Sequence, residues 1–120
     1  MPQFGQDFEI FEGDTTPIEV TVRSSDGSLY PLFGIVLIWG FGRKGMDYPI
    51  VEKSSTILEE IKILNPLLGT AYIYLKEEDT RNILKNRDSL IFQHWMKIQT
   101  VDNVIETVMT GNMTLMRTVF

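Results

Sequence analysis

Residues 89–100, SLIFQHWMKIQT, alternate without a break: Leu90, Phe92, His94, Met96 and Ile98 fall on one side, and Ile91, Gln93, Trp95, Lys97 and Gln99 on the other. Successive side chains of an extended chain point to opposite faces, so a period of two held this long describes a half-buried strand. A helix would scatter the same residues around its circumference. A strand must also find partners, and the rest of the chain offers them. Ile18, Val20 and Val22 alternate with Glu19, Thr21 and Arg23 and stop at the turn residues Asp26 and Gly27. Ile35, Leu37, Trp39 and Phe41 form one face of a third run, with Val36, Ile38, Gly40 and Gly42 on the other. Two further segments, 55–64 and 70–75, are separated by NPLLG, and in the second Ala71, Ile73 and Leu75 alternate with Thr70, Tyr72 and Tyr74. VDN turns the long strand into a strand over 104–110, and a last one after Gly111 places Met113 and Leu115 inside. Residues 48–54 fit either a strand or a loop. Only KEEDTRNILKNRD breaks the pattern, and its acidic start followed by Ile83 and Leu84 predicts one short helix near 77–85. About seven strands and one helical turn make an all-β chain, an antiparallel β-sandwich of immunoglobulin-like type.

One motif argues for a different architecture. Gly40, Gly42 and Gly45 spell G-x-G-x-x-G directly after an apolar run, the spacing of a dinucleotide-binding turn. That turn works only if a helix follows, because the helix N-terminus holds the pyrophosphate. MDYPIVEK follows instead, with Pro49 about one turn in and no helical stripe. The glycines are therefore expected to relieve crowding at a strand end and to open a hairpin loop.

The 120 residues, 43% hydrophobic, suit a single domain over 8–120 preceded by a short arm, 1–7. Eleven Lys and Arg against sixteen Asp and Glu give a net charge of -5, which disfavours phosphate-driven nucleic-acid binding. Without cysteine there is neither a disulfide framework nor a thiolate metal site. No run approaches the roughly 20 apolar residues of a membrane span, and MPQFGQDFEIFEGD does not read as a secretory leader, so a soluble protein made in the cytoplasm is expected.

The chemical inventory is thin. His94 is the sole histidine and lies between Phe92 and Met96 on the inward face, where a hydrogen-bonded core residue is expected. Glu77, Glu78 and Asp79 lack the ligand spacing of a calcium loop, and a capping role at a helix start accounts for them. Asn112-Met113-Thr114 matches a glycosylation acceptor, but nothing else marks the chain as secreted. No nucleophile pairs with a base, so neither enzymatic activity nor a cofactor or metal is expected.

The order GDTTPIEVTV, DGSLYPLFGIVLIWGFGRK, LGTAYIYLKEEDTRNIL, a strand, VDN, a strand and TGNMTLM resembles the small immunoglobulin-like domains of tailed-bacteriophage structural proteins. The likeness is to the N-terminal domain of the baseplate upper protein and to stand-alone virion relatives, over residues 8–119. Asp102-Asn103 replaces the usual Asp-Gly of the late hairpin, and Trp95 stands where a polar residue is common. The resemblance implies a virion structural protein, located in the host cytoplasm during assembly, whose partners are other capsid, tail or baseplate proteins or further copies of itself. Decoration of the capsid is the favoured role, and a tail, neck or baseplate adaptor is the alternative.

Outward positions then become the candidate partner surface. If the alternating faces above pack inward, Val36, Ile38, Tyr72, Tyr74 and Trp95 face out, and Phe4 and Phe120 near the termini reach toward a neighbour. A recognition module for a carbohydrate or host surface is the competing class, with Tyr30, Trp39 and Tyr48 as its candidate contacts.

Overall fold

The computed structural model describes residues 6–24, 26–45 and 48–118. Phe4 and Phe120 lie outside the described residues. Among the described residues eight strands form two sheets: β1 (Phe8–Phe11), β2 (Ile18–Thr21), β3 (Val36–Gly42), β4 (Val51–Ser54), β5 (Ile61–Asn65), β6 (Thr70–Ile73), β7 (Ser89–Gln99) and β8 (Ile105–Met116), with one α-helical turn, α1 (Glu77–Thr80), and one 3-10 turn, Pro66–Leu68. The five-stranded sheet runs β1-β8-β7-β3-β4 and the three-stranded one β2-β6-β5, so the expected β-sandwich is found. All pairs are antiparallel except β1, which runs parallel to β8 at the sheet edge.

The alternation places the core where it was read. Leu37, Trp39, Phe41, Ala71, Ile73, Leu75, Phe92, His94, Met96, Ile98, Met113 and Leu115 are all buried between the sheets. Phe41 stacks edge-on against Phe92 with ring centres 5.5 Å apart, and Trp39 lies 5.7 Å from Phe41, so a continuous aromatic row joins β3 to β7.

Several elements differ from their expected extents. The 104–110 strand and the strand after Gly111 are one twelve-residue strand, β8, because Gly111 sits within the ladder opposite His94. In the segment 55–64 only Ile61 onward is strand. Residues 55–60 form the turn that carries the chain from one sheet to the other, with Ser54 N–H held by the Glu60 carboxylate at 2.9 Å. Residues 51–54 pair with β3 as a strand. The helix is confined to Glu77–Thr80, since Arg81 turns extended at ψ 140° and Asn82 follows with positive φ. Asp79 accepts a bond from the Lys76 N–H at 2.7 Å, the capping role expected of it.

Strand β1 opens the domain directly after the expected 1–7 arm, in a stretch where alternation predicted no strand. Docking begins before it: Gln6 N–H donates to the Thr110 carbonyl at 3.1 Å, and the Asp7 carboxylate accepts from Asn112 N–H at 2.8 Å. Phe8 and Ile10 then pack inward on the core while Glu9 and Phe11 face out.

Candidate functional site

The ends of the sandwich have opposite chemistry. At one end lie three connections: 29–35 between β2 and β3, 66–69 between β5 and β6, and 100–104 between β7 and β8. They touch one another. Leu32 N–H donates to the Pro66 carbonyl at 2.8 Å, and Gly34 approaches Val101 so closely that an added Cβ would stand 3.3 Å from its side chain. Across 29–35, 63–70 and 100–105 the one charged residue is Asp102. Phe33, Leu67, Leu68, Val101, Val104 and Ile105 are exposed there, Val101 to 80% and Phe33 to 66%. At the opposite end, 76–88 alone carries eight charged side chains.

The apolar end is held rigid by its polar residues. Asn65 caps the 3-10 turn Pro66–Leu68 by accepting from the Leu67 and Leu68 N–H groups, and Gly69 closes it in the left-handed region at φ 68°. In the β7–β8 hairpin, Thr100 Oγ1 accepts from Val104 N–H at 3.2 Å and the Gln99 amide donates to Asn103 at 3.2 Å. Asn103 supplies the positive φ that the turn needs. The apolar side chains are thus presented on fixed backbone, which lowers the ordering entropy that association would cost.

A cleft of about 960 Å³ opens beside this end, where β4 stops short of β3 and the 55–60 turn crosses to β5. Ile35, Val36, Ile57, Ile63 and Tyr74 are among its walls, and Leu58 stands at the rim, 90% exposed. The free edge of β5 is blunted by Lys62 and by a break in register between Ile63 and Asn65, two ordinary defences against strand addition.

The residues expected to face out are distributed over both sheets. Val36 and Ile38 sit half-buried on the outer face of the five-stranded sheet, and Tyr72 and Tyr74 on that of the three-stranded sheet, their rings edge-to-face at 6.3 Å. Val36 and Tyr74 meet at the cleft. Trp95 is half-buried and covers Gly40, its cross-strand neighbour. A Cβ on Gly40 would fall 3.0 Å from Trp95 Cζ2 and 2.8 Å from the Val51 carbonyl oxygen, so this glycine seats the indole. Gly42 similarly admits the backbone of Tyr48 and Pro49, at 3.1 and 3.3 Å from an added Cβ. The glycine motif is therefore a packing device of the sheet, and Gly45 is followed by strand β4.

Of the aromatic residues considered for ligand recognition, Trp39 is excluded: it is fully buried and donates its indole N–H to His94 Nδ1 at 3.3 Å. Tyr30 is half-buried and Tyr48 is 64% exposed. His94 donates from Nε2 to the Gln6 carbonyl at 2.5 Å, the tautomer that its acceptance from Trp39 requires. Burial pushes its pKa below the usual 6.5, opposed by the Gln6 carbonyl and by the charge of Asp7. The acidic cluster is elsewhere: Asp79 pairs with the buried Lys53 ammonium at 2.6 Å, and Glu77 pairs with Arg81. His94 and the acidic residues of α1 thus do not form a joint site. Among the described residues no three side chains of metal-ligating type converge, and no helix is long and apolar enough to cross a membrane.

Because His94 is held neutral, stability should depend on pH in a definite sense. Above about pH 6.5 the histidine is neutral in both folded and unfolded chains and contributes no slope. As pH falls below that value the unfolded chain takes up a proton that the folded protein resists, so stability declines by up to about 1.4 kcal/mol per pH unit until the folded pKa is passed. Urea unfolding at pH 7.5, 6.5 and 5.5 is expected to show this decline, and His94→Gln to flatten it.

Sequence reasoning missed the apolar end because strand alternation says nothing about loops. Its signal was nevertheless present, as two connections with no charged residue and abundant leucine, isoleucine and phenylalanine. No protein-family model matches the chain, and no match was found among curated proteins.

Proposed function

We propose that this chain is a non-enzymatic bacteriophage virion protein of immunoglobulin-like type that decorates the capsid, packing its apolar end on a repeated protein partner. The observation that supports this reading is the rigid, charge-poor end carrying Phe33, Leu67, Val101 and their neighbours. Interface centres are depleted of charge and rich in large apolar residues, and a patch of this kind on fixed loops suits a flat protein surface. The charged opposite end then points to solvent and keeps the particle soluble. The sequence resemblance to phage structural domains supplies the virion context. A tail, neck or baseplate adaptor would use the same end against a different component.

The test is co-sedimentation of the purified protein with empty shells and with isolated tails of the phage that encodes it. Shell binding that Leu67→Asp plus Val101→Asp weakens by tenfold or more, with unchanged thermal unfolding, is the expected result. Binding to tails alone would move the assignment to the adaptor role. Unimpaired binding by the double variant would exclude the apolar end as the docking surface.

A further inference from the structure

The 55–60 turn between β4 and β5 carries the most exposed large apolar side chain among the described residues, Leu58 at 90%, with Ile57 beside it at 53%. The cleft walled by Ile35, Val36, Ile63 and Tyr74 borders this tip, yet Leu58 stands at the rim and leaves the space open. The backbone holds it there. Thr56 N–H donates to Ser54 Oγ at 3.2 Å, Ile57 N–H to the Ser54 carbonyl at 3.3 Å, and Glu60 N–H to the Ile57 carbonyl at 3.2 Å. Glu60 is tied twice more, its carboxylate to Ser54 N–H at 2.9 Å and its carbonyl to Tyr74 N–H at 2.8 Å. A knob and an open socket are therefore fixed side by side on one surface, and a loop already ordered loses little entropy when it docks.

We propose that this surface is the interface of a two-fold homodimer in which Leu58 of each copy enters the cleft of the other. A two-fold axis pairs a patch with itself, so the patch must be self-complementary. This one is so in shape and in charge. The protruding Leu58 lies next to a cleft of about 960 Å³, which has room for it and for Ile57. Glu59 sits on the knob, whereas Lys62 and Lys76 line the cleft. All three are exposed, and among the described residues none of them takes part in an ion pair. Across the axis each Glu59 meets the lysines of the second copy, which gives an apolar centre a charged rim on both sides. The chain's net charge of -5 makes two copies repel except where cations offset it, and the cleft sets two lysines against one acid. An unrelated partner would have to bring knob, socket and both charges independently; a second copy brings all of them by symmetry.

Sedimentation equilibrium of the purified protein without shells, from about 2 to 200 μM, is expected to show reversible growth from monomer to dimer. Leu58→Asp changes only an exposed loop tip and should weaken the dimer about tenfold or more while thermal unfolding stays unchanged. Glu59→Lys should weaken it too, as should Lys62→Glu combined with Lys76→Glu. The triple variant restores opposite charges across the axis and should recover most of the loss. A monomer at every concentration, a dimer indifferent to Leu58→Asp, or charge variants that do not rescue one another would overturn the proposal. The Leu67→Asp plus Val101→Asp variant is expected to keep the dimer, so this interface and docking through the apolar end fail separately.

Discussion

Gly111→Ala is expected to lower stability by about 3 kcal/mol, although it adds a single methyl group to a partly exposed strand position. The new Cβ would overlap the Gln6 carbonyl and stand 2.8 Å from His94 Nε2, the two groups that hydrogen-bond each other at 2.5 Å. Gln6 is itself fixed by its N–H bond to Thr110. Relief requires the chain leading into β1 to lift away or the imidazole to rotate, and rotation strips the buried Trp39 N–H of its acceptor. Overpacking of this kind costs roughly 1–3 kcal/mol and an orphaned buried donor a similar amount, and relaxation keeps the sum below the simple total. Urea denaturation should show a lower midpoint with an unchanged slope. A loss under about 0.5 kcal/mol would mean that the packing around His94 is looser than described.

Asp79→Ala is expected to cost a similar amount, about 3 kcal/mol, by a different route. Lys53 points inward from β4 and is 4% exposed, and its ammonium meets the Asp79 carboxylate at 2.6 Å. Removing the carboxylate leaves a buried charge without a partner, typically a 3–5 kcal/mol loss, and also removes the acceptor for the Lys76 N–H. Asp79 is partly solvated, which places the expectation at the lower end of that range. The reverse substitution differs. Lys53→Met fills the same volume with apolar atoms and leaves Asp79 its capping bond, so about 1 kcal/mol or less is expected. Thermal unfolding of the two variants should rank them in that order, and equal losses would show that the ion pair itself, rather than the stranded ammonium, sets the cost.

The strands with a long, clean period were legible from sequence because one buried face enforces alternation, and β3, β6 and β7 each follow it. Strand β1 was not, since four residues following an unpatterned start carry little periodic signal and its partner, β8, lies more than a hundred residues away. Gly111 was read as a break between two strands, when its role is to make room for Gln6 and His94, a contact that only tertiary structure creates. The inward setting of His94 and the packing role of the glycine motif were readable, because both follow from residue type on a known face. The seat that Gly40 gives to Trp95 follows from cross-strand register, which alternation within a single strand does not determine. The apolar end likewise joins three loops distant in sequence, and depended on knowing that β3 starts, β7 ends and β8 starts at the same place.

The proposed docking through that end is read out by hydrogen–deuterium exchange of the protein free and bound to purified phage shells. New protection is expected at 29–35, 66–69 and 100–105, with 43–45 and 76–88 exchanging as in the free protein. Protection confined to the charged end, with the three apolar connections unchanged, would contradict it.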